Sequence, residues 1–268
     1  MIALDLGTRS IICAEHDGDV VRRILFTEHK TRAMQGGNVY DFGAAVDNLR
    51  QVRERMGLAA GTPVSLAIAG GQLFSKRFTV NLAGPGPWSE ADLIAAEKTA
   101  ARDVVASRKH GRQVLLGIAR AGFTCAGRAV GSLVGMEGES ATYEALATYL
   151  PLDHVKLKAR AVAAAGFAPE RITVEPLAIS AALFGGELPP SLVALIDIGA
   201  GTSDIAILGA DGLLGVTSVP FAGDTITHCC ASIFLAKIDC KSLKLMVFAA
   251  FFIDGTADGI NERQYRKT

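Results

Sequence analysis

Two stretches of this 268-residue sequence place an aspartate, a glycine-bearing turn and a threonine in the same order at the end of an apolar strand. The first is Ile2-Ala-Leu-Asp5-Leu-Gly7-Thr8-Arg9-Ser10-Ile11. The second is Leu195-Ile-Asp197-Ile-Gly199-Ala200-Gly201-Thr202-Ser203-Asp204-Ile205. In each, an apolar strand ends on the aspartate, turns at the glycine and enters another strand. Such a turn suits phosphate binding. Glycine exposes backbone N–H groups and lets phosphate oxygens approach without a Cβ in the way. The Thr8, Thr202 and Ser203 hydroxyls add donors, and Asp5 and Asp197 are placed to hold a hydrated Mg²⁺ that bridges phosphate oxygens. A single D-x-G-T is a common hairpin turn, because Asp and Gly favour turns for their own reasons. Two copies in equivalent strand contexts point instead to a clamp that pinches one polyphosphate. No GxxxxGK[ST] occurs and a strand follows each turn, so this is not a Walker loop.

The elements that must hold these turns follow from hydrophobic spacing. Ile2 to Gly7, Ser10 to Glu15 and Val20 to Thr27 read as strands, the last two separated by Asp17-Gly18-Asp19. From Asp41, the residues Phe42, Val46, Leu49, Val52 and Met56 recur at helical spacing up to Gly57. Pro63 to Ala69 and Leu73 to Asn81 read as two further strands, which makes the first stretch an α/β unit. Leu82-Ala-Gly-Pro-Gly-Pro-Trp88 punctuates a boundary. Ser89, with Asp92 three residues on, opens a helix to about Ser107. A hairpin around Ala126-Gly127 follows, then Ser140 to Tyr149, which fits strand or helix, then a helix from Asp153 to Ala165. This middle block is expected to be an insertion. Ile172 to Pro176 is a strand running into a helix. Beyond Gly185-Gly186 and Pro189-Pro190, three strands cover Leu192 to Ile198, Ser203 to Leu208 and Leu213 to Val219.

Composition excludes several function classes. Lys+Arg and Asp+Glu are both 27, so the formal net charge is zero, unlike a chain that wraps nucleic acid. Aromatic residues at 6% argue against a base-stacking platform. With 50% hydrophobic and 20% charged residues the chain is not intrinsically disordered. Cys13, Cys125, Cys229, Cys230 and Cys240 include no CxxC pair and no His cluster, which fits free thiols in a reducing cytoplasm. No signal peptide is read at the start, and the apolar run from Leu245 to Ile253 is too short to span a bilayer. A cytoplasmic protein is expected. Arg108 to Arg112 reads as a solvated basic loop. Taken alone, Glu175 before Pro176 fits a strand-to-helix turn as well as catalysis. Asp224 fits a helix cap as well as a phosphate-side role.

The paired hairpins resemble the phosphate-1 and phosphate-2 motifs of the superfamily that joins actin, heat-shock chaperone ATPases and sugar kinases. Within it the chain resembles the bacterial cell-division FtsA family, and the pilus-assembly PilM family shares this architecture. Arg32-Ala-Met-Gln-Gly-Gly37, Val134-Gly-Met-Glu-Gly138, Ile172-Thr-Val-Glu-Pro-Leu-Ala178 and Val219-Pro-Phe-Ala-Gly-Asp-Thr-Ile-Thr227 stand in that family's order and spacing. The resemblance covers about residues 1–245. It implies an α/β, actin-like (ribonuclease H-like) ATPase fold. Residues 1–83 with 159–186 would form the first core, and 84–158 an inserted SHS2-type α+β subdomain. Residues 187–245 would form a partial second core, and 246–268 a divergent tail.

The resemblance also implies ATP and Mg²⁺ as cofactors, with Asp5 and Asp197 on the metal. Gly7, Thr8, Arg9, Gly199, Ala200, Gly201, Thr202, Ser203, Gly223 and Asp224 would surround the nucleotide, and Glu175 would face the attacking water. It implies a scaffold in cell division, at most a weak Mg²⁺-dependent ATPase. That scaffold would self-associate and contact the tubulin-like division protein or other division or pilus proteins, reaching the membrane only through partners. The alternatives are a PilM-like pilus or secretion assembly ATPase, or a truncated remnant acting only as an interaction module. A small-molecule kinase of the same superfamily fits less well, because the insert pattern is FtsA-like. Two departures stand out. Ala200 replaces a family glycine, which at positive φ costs roughly 1 kcal/mol. The segment from Cys240 to Ile253 carries no second glycine motif, reads as a truncated or frame-shifted end, and leaves weak, poorly base-selective ATP binding as the expectation.

Overall fold

The structure is a computed structural model that describes residues 1–18, 20–70, 72–106, 112–185, 189, 191–210, 212–234 and 247–252. The basic loop at 108–111, Cys240 and most of the segment after Phe234 lie outside the described residues. In chain order the elements begin with strands β1 (Ile2–Leu6), β2 (Ser10–Asp17) and β3 (Val20–Glu28), then the short β4 (Met34–Gln35) and β5 (Asn38–Val39). Helix α1 (Phe42–Arg55), β6 (Thr62–Ile68), β7 (Phe74–Ala83), α2 (Glu90–Ala106), β8 (Gln113–Cys125), β9 (Arg128–Ala129) and β10 (Ser140–Pro151) come next. The rest is α3 (Leu152–Ala164), β11 (Phe167–Val174), α4 (Glu175–Phe184), β12 (Val193–Ile198), β13 (Ser203–Gly209), β14 (Gly212–Val219), α5 (Gly223–Phe234) and β15 (Val247–Phe252).

One sheet has the order β11-β6-β1-β2-β3, with β1 antiparallel to β2 and parallel to β6. Its central strand alternates as a half-covered strand should: Ile2, Leu4 and Leu6 are buried, and Asp5 points to the other side. Helix α1 covers it. Asp41 caps that helix by accepting a hydrogen bond from the Ala44 N–H at 2.9 Å, and Arg53 and Arg55 sit favourably in its last turn. Ala45, Val46, Leu49 and Val52 form its buried stripe. Helix α3 buries Val155, Ala161 and Val162 in the same core, together with one lysine, Lys158.

The other large sheet has the order β15-β12-β13-β14-β7-β10-β8-β9. Strands β12 to β14 form an antiparallel meander, and β7, β10, β8 and β9 form a second antiparallel block in which β10 lies between β7 and β8, with α2 packed on it. Ser140 to Pro151 is a strand, and its unbroken buried run explains why no alternation could distinguish it from a helix. Among the described residues these two blocks share one ladder pair, Thr217 of β14 opposite Phe74 of β7. There the Ser75 Oγ donates to the Val216 carbonyl at 2.9 Å and accepts from its N–H at 2.8 Å. Strand Phe74–Ala83, expected in the first core, therefore pairs with Ser140–Pro151 in this second sheet. The Gly/Pro punctuation follows the strand, while the change of sheet precedes it. Val247 to Phe252, expected in a divergent tail, runs antiparallel beside β12. No described helix is long and apolar enough to cross a membrane.

Candidate functional site

The two turns are built alike. The Gly7 N–H donates to the Ser10 carbonyl at 3.0 Å, and the Gly199 N–H donates to the Thr202 carbonyl at 3.0 Å. In both, a Cβ on the glycine would crowd the accepting oxygen, at 3.2 Å for Gly7 and 3.1 Å for Gly199. The glycines thus favour tight closure, and neither is there for a left-handed backbone. Ala200 is not among the described residues with positive φ, so the cost of roughly 1 kcal/mol expected for such a backbone does not arise.

The turns come from different sheets and meet across one cleft of about 280 Å³. Asp5, Gly7, Thr8, Arg9, Glu175, Asp197, Gly199, Ala200, Gly201, Thr202, Gly223 and Asp224 all line it. Ser203 does not. Its Oγ donates to the Phe221 carbonyl at 2.5 Å, because position 203 points to the opposite side of β13 from the cleft, and so it fastens the loop before α5. Thr8 is the meeting point of three segments. Its Oγ1 accepts from the Gly37 N–H at 2.9 Å, and Gly201 packs directly on its side chain.

Helix α5 is docked onto the second turn through its backbone. The Gly223 N–H donates to the Gly199 carbonyl at 3.0 Å and the Asp224 N–H to the Ala200 carbonyl at 2.8 Å. The Asp224 carboxylate faces the first turn, where the Arg9 Nη2 donates to its Oδ1 at 2.6 Å. That ion pair links the first hairpin to α5. His29 supports the first turn: its Nε2 bonds the Gly7 carbonyl at 3.0 Å and its Nδ1 faces the Asn48 amide at 3.2 Å. This arrangement suits a neutral imidazole, and burial keeps the His29 pKa low.

The cleft floor is strongly acidic. Asp204 joins Asp5, Glu175 and Asp197 there, and the ammonium of Lys158 lies within the same cluster, 3.5 Å from the Ala69 carbonyl. Burial pushes the Asp5 carboxyl up to about 6; Lys158 opposes the shift, and the Asp197 and Asp204 charges add to it. Burial and then the neighbouring Asp5 charge hold Glu175 well above the usual carboxyl range. Burial also raises Asp197 and Asp204 and lowers Lys158.

Asp5 Oδ1 and Asp204 Oδ1 are shut off from water and have no hydrogen-bond partner among the described residues. Buried carboxylate oxygens left in this state are costly. A cation arriving with ordered waters would supply both the charge and the donors they lack. Among the described residues no three His, Cys, Asp or Glu side chains are gathered for direct ligation. The residues therefore fit a divalent cation held through its water shell, as Mg²⁺ prefers, and not a stripped one.

Sequence reasoning did not assign Asp204 or Lys158 to the site. Asp204 stands directly opposite Asp197 across the β12–β13 ladder. Its counterpart opposite Asp5 is Ile12, so the two turns share geometry while the acid is doubled in only one of them.

No protein-family model and no curated protein sequence matches the chain. Solved structures do. The chain is similar to a protein of a PilM–PilN type IV pilus biogenesis complex, with a TM-score of 0.66 and 17% identity over 88% of this chain and 66% of that one. It is also similar to the ethanolamine utilization protein EutJ from Carboxydothermus hydrogenoformans, with a TM-score of 0.49 and 16% identity, covering 90% and 57%. A third is MreB5 of Spiroplasma citri bound to ADP, with a TM-score of 0.37 and 18% identity, covering 90% and 59%. The chain thus spans 66% of the first of these and 57% of the second. The paired turns, the shared cleft and the pilus-complex likeness together establish that this chain has the actin-like ATPase fold.

Proposed function

We propose that this chain is an actin-fold nucleotide-binding scaffold of the FtsA type, acting in bacterial cell division and binding ATP with Mg²⁺ between its two hairpins. The observation that carries this reading is the meeting of Asp5 and Asp197, on separate sheets, in one cleft whose buried carboxylate oxygens lack donors. Bound Mg²⁺ would neutralise charge on the phosphates. The chain's own residues do the rest. Asp5 and Asp197 hold the cation's waters, and the turns from Gly7 to Arg9 and from Gly199 to Thr202 present backbone and hydroxyl donors to the phosphates. Gly223 and Asp224 stand beside them on α5.

Glu175 faces the cleft as the residue placed to orient water. Burial and the Asp5 charge hold its pKa well above the usual carboxyl range, which favours its protonated form over a general base and fits at most weak hydrolysis. Nucleotide then serves to set conformation. Residues 84–158 are proposed as the surface for self-association and for partners such as the tubulin-like division protein, on the cytoplasmic side. A PilM-like role in pilus assembly is the second reading, and the protein from the pilus complex shares the fold.

Titration with a fluorescent ATP analogue, with and without Mg²⁺, tests the reading. Binding that strengthens with Mg²⁺ is expected. Absence of binding at millimolar analogue, or indifference to Mg²⁺, would overturn it. Co-sedimentation with the tubulin-like division protein separates the division role from the pilus role.

A further inference from the structure

A second pocket, of about 550 Å³, adjoins the acidic cleft where the two hairpins touch. It shares Thr8, Arg9, Ala200, Gly201 and Asp224 with the acidic cleft, and these residues form the wall between the two. The contact of Gly201 with Thr8 and the ion pair of Arg9 with Asp224 close it.

The charge on the two sides is opposite. Asp5, Glu28, Glu175, Asp197 and Asp204 all line the cleft, whereas the lining of the second pocket includes Arg9, Lys30 and Arg32, with Asp224 as its one acid among the described residues. In a chain of zero net charge this segregation is a property of the site and not of composition. Lys30 and Arg32 are exposed at the mouth. Arg32 lies over the Tyr40 ring, its guanidinium carbon 5.0 Å from the centroid, which occupies its face and leaves its N–H edge for a ligand. Arg9 spends one donor on Asp224 and has others left. Burial holds the His29 pKa low, and His228 completes the rim.

We propose that this pocket is a second anion site, which takes a small, multiply charged phosphate anion without a metal ion. Phosphate in the acidic cleft requires a cation to screen the carboxylates, whereas phosphate in the basic pocket meets three cationic side chains directly. Because Arg9 belongs to both, an anion there draws the guanidinium from Asp224 and alters the wall that the cleft shares. The proposal does not depend on nucleotide binding in the cleft.

The test is calorimetric titration of the full chain with pyrophosphate in EDTA. One binding event is expected, weakened roughly tenfold or more by the double variant Lys30→Glu/Arg32→Glu. It should be retained by Lys30→Arg/Arg32→Lys, which keeps the charge, and by Asp197→Asn. Thermal unfolding by circular dichroism checks that each variant is folded. If the double reversal does not fold, Lys30→Gln and Arg32→Gln are titrated singly, each expected to weaken binding severalfold. No binding in EDTA, binding that survives removal of these charges, or binding clearly strengthened by Asp197→Asn would each overturn the proposal. The last result would place the anion in the acidic cleft.

Discussion

Gly201 packs against Thr8 so closely that a Cβ built on it would stand 2.5 Å from the Thr8 Oγ1 and 2.8 Å from its Cγ2. The two turns, each from its own sheet, therefore depend on the absence of one methyl group. Gly201→Ala should force them apart, at a cost of about 1–3 kcal/mol. The same change in a Thr8→Ala background should cost less, giving a coupling of about 1 kcal/mol in a double-mutant cycle followed by chemical denaturation. Additive effects would show that the contact is not the source of the loss.

Asp197→Asn should remove most of the Mg²⁺ dependence of fluorescent nucleotide binding, because a neutral amide holds a hydrated cation poorly. The affinity without Mg²⁺ should change little or improve, since one negative charge leaves the cleft. A variant whose binding keeps its full response to Mg²⁺ would remove Asp197 from the cation site.

Asp5 gives a stability test with a definite sign. Its pKa is pushed from 3.8 up to about 6, so between these values the folded chain holds a proton that the unfolded chain has released. Stability from this group is present at low pH and is lost as pH rises through about 6. Asp5→Asn, neutral throughout, should be more stable than the parent by about 1–3 kcal/mol at pH 8, with the difference fading toward pH 4. Thermal unfolding across pH measures it. The same variant should lose Mg²⁺-dependent nucleotide binding, so stability and ligand affinity move in opposite directions.

Lys158 is the buried cation that faces Asp5, Glu175 and Asp204. Replacing it with Met leaves those acids without their counter-charge. The expected cost is about 3–5 kcal/mol at pH 8, shrinking toward pH 5 as the carboxyls take up protons. An equal loss at both pH values would mean that Lys158 acts by packing alone.

Much of this was legible in the sequence, and what was not has identifiable causes. The paired turns and helix α1 could be read because their signals are local: Asp and Gly at fixed spacing, and an apolar stripe after a capping Asp41. The partnership of β7 with β10 could not be read, since strand pairing over that separation leaves no local mark and the Gly/Pro cluster between them suggests a boundary at the wrong end. Lys158 did leave a trace. It falls on the same helical stripe as Val155, Ala161 and Val162, where a solvated lysine would be out of place. Asp204 was visible within the second turn, but only the ladder shows that it stands opposite Asp197. Ser203 was misassigned to the cleft because proximity in sequence does not reveal which face of a strand a hydroxyl occupies.

The seam at Thr217 and Phe74, stitched by the Ser75 hydroxyl to Val216, fixes where the two halves of the sheet meet. Leu146 and Leu150 of β10 lie in the same hydrophobic core as Leu195 of β12, Ala206 of β13 and Val216 of β14. The middle block therefore shares its packing with the strands that carry the second turn, and a cavity opened on one side of the seam is felt on the other.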